Sequence, residues 1–394
     1  MKLACVVHRF GADIAGGSEG HCRLIAEHLA ARHDVTILTT CAKDHITWRN
    51  HYPAGETREH GLRVIRFPVA RARDMRRFMD LSDLVAADQA SAADQEQWFR
   101  ENGPDAPALL EHLRAHGASY DRVLFWAYRY ANTYFGLPLV ADRAILVPTA
   151  EEDPLIHVDA LAPFFALPQG FLFLTPEEGT LVAARAPGGT PSAIIGSGLD
   201  PAAAQGDVSR LDPLRLGEPF VLYLGRVDPN KGCLTLIRHF LRYLENGRAV
   251  QLVLAGPSSM EIPEHPLIRP LGFVDEAVRE ALLRQARALI MPSPYESLSM
   301  VLLEAWNHGL PALVNARCKV LRGQVERADG GLYYGNASEF IAGLDYLLDH
   351  QDVARTLGRQ GLAYVDREDR WPIVIGKIEA LLARTQAGPC RTVQ

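Results

Sequence analysis

The range 291–314 constrains the fold of this chain more than any other part of the sequence. The apolar run Ala288–Met291 ends at two nearby prolines and predicts a buried strand. A helical run from Ser299 to Asn307 follows, and a Gly-Leu-Pro sequence starting at Gly309 ends it. A second apolar run, Ala312–Val314, completes a strand–helix–strand unit. Such a unit predicts a parallel sheet covered by helices.

Two carboxylates belong to this unit. Glu296 precedes the helix and Glu304 lies inside it, with seven residues between them. The backbone N–H groups at the helix start, near Ser299 and Met300, suit a phosphate. Glu296 would then accept hydrogen bonds from a sugar, and Glu304 from a ribose. The spacing alone is at least as consistent with a capping carboxylate and a solvated helix glutamate.

A second motif carries positive charge. Gly225-Arg226 is followed by four residues and then by Lys231-Gly232, directly after the apolar run Phe220–Leu224. Open α/β sheets bind ligands at the carboxyl ends of their strands. Two cations there would neutralise a diphosphate, the arginine as a fork and the lysine as a point charge. A surface turn with incidental charges is the alternative.

The amino-terminal part predicts the first half of a doubly wound fold. A strand at Leu3–Val7, a glycine-rich loop, a helix from Ser18 to Arg32 and a strand at Asp34–Thr40 follow one another. Gly16 and Gly17 would let the backbone approach a bulky anion, with Ser18 as the helix cap. A simple tight turn explains these glycines equally well.

Taken together, the two motifs of the second half resemble the family 4 retaining glycosyltransferases of the GT-B fold. The family signature is Glu, seven residues, Glu-Ala and then Gly-x-Pro, which is matched from Glu296 through Glu304 to Gly309. The phosphate-binding Gly-Arg and Lys-Gly of the family correspond to Arg226 and Lys231 with their glycines. One departure is that Leu298-Ser299 stands where the family usually has Phe-Gly.

The resemblance implies an α/β fold with two facing Rossmann-like domains, an interdomain cleft and a C-terminal helix that crosses back to the first domain. The acceptor domain would comprise residues 1–195, with about 370–394 packing back on it. Glycines and prolines mark a crossover linker at 196–217. The nucleotide-sugar domain would comprise 218–369.

The resemblance also assigns roles. Arg226, Lys231 and the helix start would stabilise the departing diphosphate, and Glu296 would hold the sugar. Backbone at Phe273 and Val274 would read the nucleobase, although both are equally consistent with core residues. The expected donor-binding residues are therefore Gly16, Gly17, Gly225, Phe273, Val274, Leu298, Ser299, Met300 and Glu304.

Glu151 departs from the family pattern. The chain reads Glu151-Glu152-Asp153-Pro154 where members often carry His-Asp-Glu-Pro, with the histidine contacting the transferred sugar. A carboxylate beside a diphosphate is unfavourable unless it faces hydroxyl or amino groups. We therefore predict a catalytic-site role for Glu151 toward the sugar or acceptor. A purely structural acidic cluster, or His157 as a displaced substitute, are the alternatives.

Composition excludes several other classes. The 394 residues suffice for two domains, and 48% hydrophobic with 22% charged residues is ordinary for a globular enzyme. The net charge of −6 argues against a nucleic-acid partner. Six cysteines without CxxC pairing indicate reduced thiols. The sequence shows neither a secretory signal nor a run of roughly 20 apolar residues, so we expect a cytoplasmic protein.

A cluster of arginines suggests a surface partner. Four of seven residues, Arg71, Arg73, Arg76 and Arg77, are basic and are followed by Phe78 and Met79. This pattern suits peripheral contact with an anionic membrane at its inner face. A solvated face paired with nearby acids is the alternative.

The resemblance therefore implies a retaining glycosyltransferase of the hexosyltransferase class. It would move a sugar from a nucleoside diphosphate sugar to a glycan, lipid-linked or small-molecule acceptor. No paired-aspartate metal motif stands out, so we expect neither a metal ion nor a separate cofactor. A nucleotide-sugar epimerase of the same fold and a catalytically impaired binding subunit are the alternatives.

Overall fold

The chain divides into two compact α/β units. The structure, a computed structural model, describes residues 1–14, 16–186, 188–203, 207–217 and 219–385. The first unit comprises Met1–Gly198 and the C-terminal helix, and the second comprises Leu199–Arg370. The first division lies within the expected linker 196–217, of which residues 204–206 fall outside the described part. The end of the expected returning segment, 386–394, falls outside it as well.

An eight-stranded sheet forms the centre of the first unit. Its strands are β1 (Lys2–Val6), β2 (Asp34–Thr40), β3 (Gly55–Glu59), β4 (Leu62–Phe67), β5 (Arg122–Trp126), β6 (Ala144–Val147), β7 (Gly170–Phe173) and β8 (Ser192–Ile194). The order is β3-β4-β2-β1-β5-β6-β7-β8. Every pair is parallel except β3 with β4. The strands after β1 therefore extend to both sides of it, as in a doubly wound fold.

Seven α-helices lie between these strands in the part of the first unit that the structure describes. They are α1 (Gly17–Leu29), α2 (Met75–Ala86), α3 (Ala92–Asn102), α4 (Pro107–His116), α5 (Ala131–Gly136), α6 (Leu161–Phe165) and α7 (Pro176–Ala183). The polar stretch 89–117 forms two helices because Gly103-Pro104 separates them. Strand β3 escaped sequence reasoning because its residues are largely exposed and carry little apolar pattern.

The second unit contains a six-stranded, fully parallel sheet. Its strands are β9 (Phe220–Leu224), β10 (Gln251–Ala255), β11 (Ile268–Gly272), β12 (Leu289–Met291), β13 (Ala312–Asn315) and β14 (Gly331–Tyr334), in the order β11-β10-β9-β12-β13-β14. Its helices are α8 (Cys233–Leu244), α9 (Glu276–Gln285), α10 (Met300–Asn307), α11 (Lys319–Ala328), α12 (Ala337–Asp349) and α13 (Gln351–Glu368). β9 is buried throughout because helices cover both faces of the sheet.

Helix α10 is anchored in the core of the second unit by Trp306. The indole is fully buried, and its Nε1 donates to the carbonyl of Gly330 at 2.8 Å. A side chain at Gly361 of α13 would clash with this indole, so α13 approaches closely. Gly309 has a φ of 68°, the left-handed conformation expected for a helix-ending glycine. The strand–helix–strand unit predicted for 291–314 is therefore fixed in place by the buried Trp306 and by close packing against α13.

The last helix, α14 (Trp371–Arg384), belongs to the first unit. Trp371 stacks on His28 of α1 with ring centroids 3.7 Å apart, and a side chain at Gly198 would clash with the Trp371 ring. Glu379 pairs with Arg32 at 2.9 Å. The predicted α/β class, with two Rossmann-like sheets and a C-terminal helix returning to the first domain, is confirmed.

Candidate functional site

The C-terminal edge of the second sheet brings the two sequence motifs together. Because β9 and β12 are parallel neighbours, the loops that follow them meet at one edge, here called the second-sheet edge. Lys231 comes from the loop after β9 and Glu296 from the loop after β12. The Lys231 Nζ lies 2.8 Å from Glu296 Oε1. Two motifs that are distant in sequence therefore form one charged site.

Arg226 lies at the same edge, next to Asp228. Its Nε is 3.3 Å from Asp228 Oδ2, and about half of its side chain (48%) is exposed. Burial raises the pKa of Asp228, but hydrogen bonds from Asn230 and Ser259 and the nearby cations outweigh this and lower it. Asp228 is therefore an anion that orients Arg226 while leaving the guanidinium accessible to a ligand.

A glycine sets the position of Lys231. Gly232 follows the short 3₁₀ turn Pro229–Lys231 and has a φ of 76°. A Cβ at this position would collide with the carbonyl of Pro292. Only glycine combines this conformation with so close an approach. The Lys-Gly sequence thus brings the lysine loop against the loop that carries Glu296.

The start of helix α10 differs from the expectation in one detail. Ser299 is the N-cap, and its hydroxyl accepts the Leu302 N–H at 3.3 Å. Its own N–H, which we expected to face a phosphate, is donated to Gln324 Oε1 of α11 at 3.2 Å. The Ser299 N–H therefore has a protein partner here, its contact with a phosphate stays a prediction, and the N–H groups from Met300 onward are further candidates. Gln324, which is only 2% exposed, carries no sequence motif that would have identified it.

Glu304 is paired with an arginine. Its Oε2 contacts an Nη of Arg279 from α9, and Arg279 also binds Glu276 at 3.0 Å. Burial raises the pKa of the Glu304 carboxyl, and Arg279 opposes this increase. Glu304, which we expected to accept hydrogen bonds from the ribose, thus already contacts an arginine that sequence reasoning did not identify.

The remaining predicted donor residues lie around this edge in different environments. Gly225 follows β9 with a φ of 133°. Phe273, after β11, is 79% exposed, so it is not a core residue. Val274 and Leu298 are half-buried against the core, and Met300 begins α10. A base-reading surface at Phe273 agrees with this exposure.

The corresponding edge of the first sheet, here called the first-sheet edge, is organised by Glu19 of α1. Its Oε1 is 2.8 Å from both His8 Nε2 and Arg9 Nε, and its Oε2 accepts the Ser18 hydroxyl at 3.0 Å. Burial alone would raise the pKa of Glu19, but His8 and Arg9 hold it well below its usual range. Burial lowers the pKa of His8, against the opposing effect of Glu19.

This network corrects one expectation for the glycine loop, the helix cap at Ser18, while donor contact at Gly16 and Gly17 stays a prediction. A Cβ at Gly16 would collide with the Glu19 carboxylate, so the space at Gly16 is filled by a side chain of the protein itself. Ser18 does not cap α1; the N-cap is Gly16, without a side-chain hydrogen bond. Gly17 is exposed, with open space where a Cβ would lie. An acid in the first helical turn after two glycines was the available signal for Glu19.

Aromatic contacts and strained backbone complete the first-sheet edge. The ring of Tyr130 stacks on His8 with centroids 3.6 Å apart. Ala127 and Thr149, just beyond β5 and β6, have φ values of 62° and 51°. Non-glycine residues in this left-handed region are uncommon and concentrate at functional sites.

Glu151 lies at this edge near Arg129. Arg129 pairs with Asp153 at 2.7 Å, and Glu151 Oε2 is 3.8 Å from the same guanidinium. About a quarter of the Glu151 side chain (28%) is exposed. Glu178 anchors this loop, because its carboxyl oxygens accept the N–H groups of Ala150 at 2.7 Å and of Leu174. Burial raises the pKa of Glu178 to about 8.

The arginine cluster is largely paired within the first unit. Arg71 lies 2.8 Å and Arg77 3.3 Å from the buried Glu101, and Arg73 binds the carbonyl of Asn102 at the end of α3. These contacts favour the alternative of a surface paired with nearby acids. Membrane contact through these arginines and Arg76 stays a prediction.

Three other features concern the described part of the chain. Its five cysteines, at 5, 22, 41, 233 and 318, are free and buried, while Cys390 lies outside it. Its His, Cys, Asp and Glu side chains form no group of three suited to a metal ion. Among the helices that the structure describes, none is both long and apolar enough to cross a bilayer.

Comparison with known proteins agrees with this geometry. Residues 218–350 match the family model of the group 1 glycosyl transferases. Glycogen synthase from Mycobacterium tuberculosis is 25% identical over 348 residues, which cover 80% of this chain and 78% of that protein.

Two solved structures share the fold. Sucrose-phosphate synthase from Thermosynechococcus elongatus has a TM-score of 0.72 and 17% identity, covering 97% of this chain and 98% of that one. HepE from Anabaena, in complex with UDP and glucose, has a TM-score of 0.69 and 15% identity, covering 98% and 100%. Residues 218–350 are therefore similar to the group 1 glycosyl transferases, and the two α/β units have the GT-B fold of these neighbours.

Proposed function

We propose that this protein transfers a sugar from a nucleoside diphosphate sugar to an acceptor, with retention of the anomeric configuration. The observation that carries the proposal is the Lys231–Glu296 ion pair, which joins the two motifs at the second-sheet edge. Arg226 lies at the same edge and is accessible. A site that combines two cations with two acids suits a ligand with a diphosphate between two sugars.

In this mechanism, the cations exchange protein partners for phosphate oxygens. Arg226 and Lys231 would leave Asp228 and Glu296 in part and bind the diphosphate, whose charge increases as the sugar departs. Positioned cations that meet developing charge contribute about 3 kcal/mol each to transition-state stabilisation. Glu296, released from Lys231, would accept hydrogen bonds from sugar hydroxyls. Glu304 would accept those of the ribose.

The donor and acceptor classes rest on different support. HepE binds UDP and glucose, which supports a nucleotide-sugar donor for this chain. Retention, and membership of family 4, rest on the match of the Glu296–Glu304 signature. Glycan, lipid-linked and small-molecule acceptors all fit the proposal. Glu151 would face the sugar or acceptor at the first-sheet edge, where Arg129 limits the repulsion from its charge.

A two-stage experiment tests the proposal. A thermal-shift screen against UDP-, GDP- and ADP-sugars identifies the donor, which is then incubated in labelled form with and without candidate acceptors. A glycosylated product whose anomeric configuration matches the donor by NMR supports the proposal. An isomerised donor would indicate an epimerase, and binding without turnover would indicate a binding subunit.

Metal independence is a separate part of the proposal. Arg226 and Lys231 would perform the charge neutralisation that Mg²⁺ supplies in other transferases. Activity should therefore persist in EDTA. Loss of activity in EDTA, with recovery on adding Mg²⁺, would contradict this part and leave the transferase assignment in place.

Peripheral membrane contact on the cytoplasmic face is the least supported part. Sedimentation with anionic vesicles, compared between the wild type and Arg76→Ala, tests it. Vesicle binding that the substitution leaves unchanged would exclude Arg76 as a membrane contact.

A further inference from the structure

Arg279 bridges two acids at the second-sheet edge. It lies on α9, one turn after the N-cap Asp275, and α9 follows the loop that exposes Phe273. One arm of its guanidinium contacts Glu304 Oε2, and the other lies 3.0 and 3.1 Å from the two oxygens of Glu276. A forked guanidinium suits this double contact, because its donors are fixed in one plane.

The two acids differ in their exposure to solvent. Glu276 is exposed (80%), so its pair with Arg279 is screened by water. The Glu304 side chain is largely enclosed (17% exposed). Arg279 is therefore held on its solvent side by Glu276 and directed toward the enclosed carboxyl of Glu304.

The charge state of Glu304 depends on this contact. Burial raises the pKa of the Glu304 carboxyl, Arg279 lowers it, and Glu276 raises it slightly. His308, the C-cap of α10, lies near Arg284 and Glu280 and also near Arg279 and Glu276. On its other side α10 packs against α13 through Trp306, which meets the ring of Tyr364 and Gly361. Without Arg279, the enclosed carboxyl would protonate at a higher pH.

We infer that Arg279 is a positioning residue of the donor site, which holds the Glu304 carboxylate ionised and oriented so that it accepts the ribose hydroxyls of the nucleotide. This inference rests on the proposed function. A protonated Glu304 would have to donate one hydrogen bond, and a freely rotating one would lose the order that ribose recognition requires. Arg279 thus determines how strongly the site distinguishes a ribose from a deoxyribose.

Calorimetry with UDP, GDP and ADP, and with their 2′-deoxy counterparts, tests the inference at pH 7 and pH 9. For the nucleotide that binds wild type best, Arg279→Gln should weaken affinity at pH 7 by about tenfold, the effect of one hydrogen bond to a charged group. It should also remove most of the preference for ribose over 2′-deoxyribose. The loss should shrink at pH 9, because Glu304 regains its charge, and Arg279→Lys should restore part of the affinity.

Arg284→Gln is the matched control. Arg284 lies on the same helix and pairs at 2.8 Å with Glu280 instead of Glu304. The nucleotide affinity and the ribose preference of the Arg284→Gln variant should equal those of the wild type. Glu304→Gln should lose the ribose preference at both pH values, and adding Arg279→Gln to it should change little more.

Three outcomes would overturn the inference. They are an unchanged ribose preference in Arg279→Gln, a loss of affinity that is equal at both pH values, and additive effects in the double variant. Each of these is measured on a protein that binds nucleotide. Absence of nucleotide binding in the wild type would instead overturn the proposed function.

Discussion

The second-sheet edge and the first-sheet edge hold their charged groups in different ways. At the second-sheet edge, Lys231 pairs with Glu296 and Arg226 with Asp228, and the cations remain 34% and 48% exposed. At the first-sheet edge, Glu19 is enclosed and saturated by His8, Arg9 and Ser18. Exposed pairs exchange partners at little cost, whereas enclosed ones do not. The second-sheet edge is therefore adapted to exchange partners with a ligand, and the network at Glu19 to hold a shape.

The largest expected effect concerns the stability of the enclosed network. Glu19→Gln removes the anion that Arg9 and His8 contact, and breaking a buried pair costs about 3–5 kcal/mol. Urea denaturation should show this loss in the free energy of unfolding. Glu27→Gln, on the same helix but in partly exposed contacts with Arg23 and His60, should lose about 1 kcal/mol or less. Equal losses in the two variants would show that the enclosed network at Glu19 contributes no more to stability than a partly exposed ion pair.

The second effect concerns catalysis at the second-sheet edge. Lys231→Ala should lower kcat/KM by a factor of about 10²–10³ and weaken diphosphate binding, because one cation on the leaving group is lost. The melting temperature should change little, since the pair with Glu296 is partly exposed. Arg238→Ala, which removes an exposed cation from the same loop–helix segment, serves as the control. Unchanged affinity in Lys231→Ala would refute the role of the lysine at the leaving group.

A third, smaller effect depends on pH. His21 accepts the Trp126 Nε1–H at 3.1 Å and lies 2.9 Å from the carbonyl of Gly196, so the folded state requires the neutral ring. Burial lowers the pKa of His21 to about 4. Because the unfolded chain binds the proton more readily, stability falls as pH decreases from about 6.5 toward 4, by roughly 2–3 kcal/mol.

The substitution His21→Gln isolates the pH dependence of stability that His21 contributes. Glutamine can accept from Trp126 and donate to Gly196 but does not titrate. The difference in unfolding free energy between the two proteins should therefore narrow as the pH falls through this range. Parallel curves for the two proteins would show that His21 is not the titrating group, since His8 and Glu19 are present in both.

The two edges also differ in how much of them the sequence reveals. The carboxylates Glu296 and Glu304 lie in one strand–loop–helix unit, so local pattern sufficed to place them, whereas their roles came from the family resemblance. The Lys231–Glu296 contact depends on β12 lying beside β9, which is a property of the strand order. Local pattern does not specify that order, and only the family resemblance suggested it.

Contacts made by single polar side chains between elements were the least predictable. Gln324 takes the Ser299 N–H, and Arg279 contacts Glu304, from helices whose sequences read as ordinary amphipathic segments. Glu19 was also missed, because the glycines before it drew attention to the backbone and not to the carboxylate that packs against Gly16. In each case the chemistry is set by packing between elements, which periodicity and spacing do not encode.

The smallest effect tests whether the second-sheet edge extends to the nucleobase. Phe273 is 79% exposed, so Phe273→Ala should change the unfolding free energy by less than about 0.5 kcal/mol. If its ring contacts the base, nucleotide affinity should fall by about 0.5–1.5 kcal/mol, the contribution of one aromatic contact. Tyr346→Ala, which removes an exposed ring (43%) from α12, should leave affinity unchanged. Because backbone contacts to the base survive both substitutions, an unaltered affinity in Phe273→Ala would restrict base recognition to the main chain.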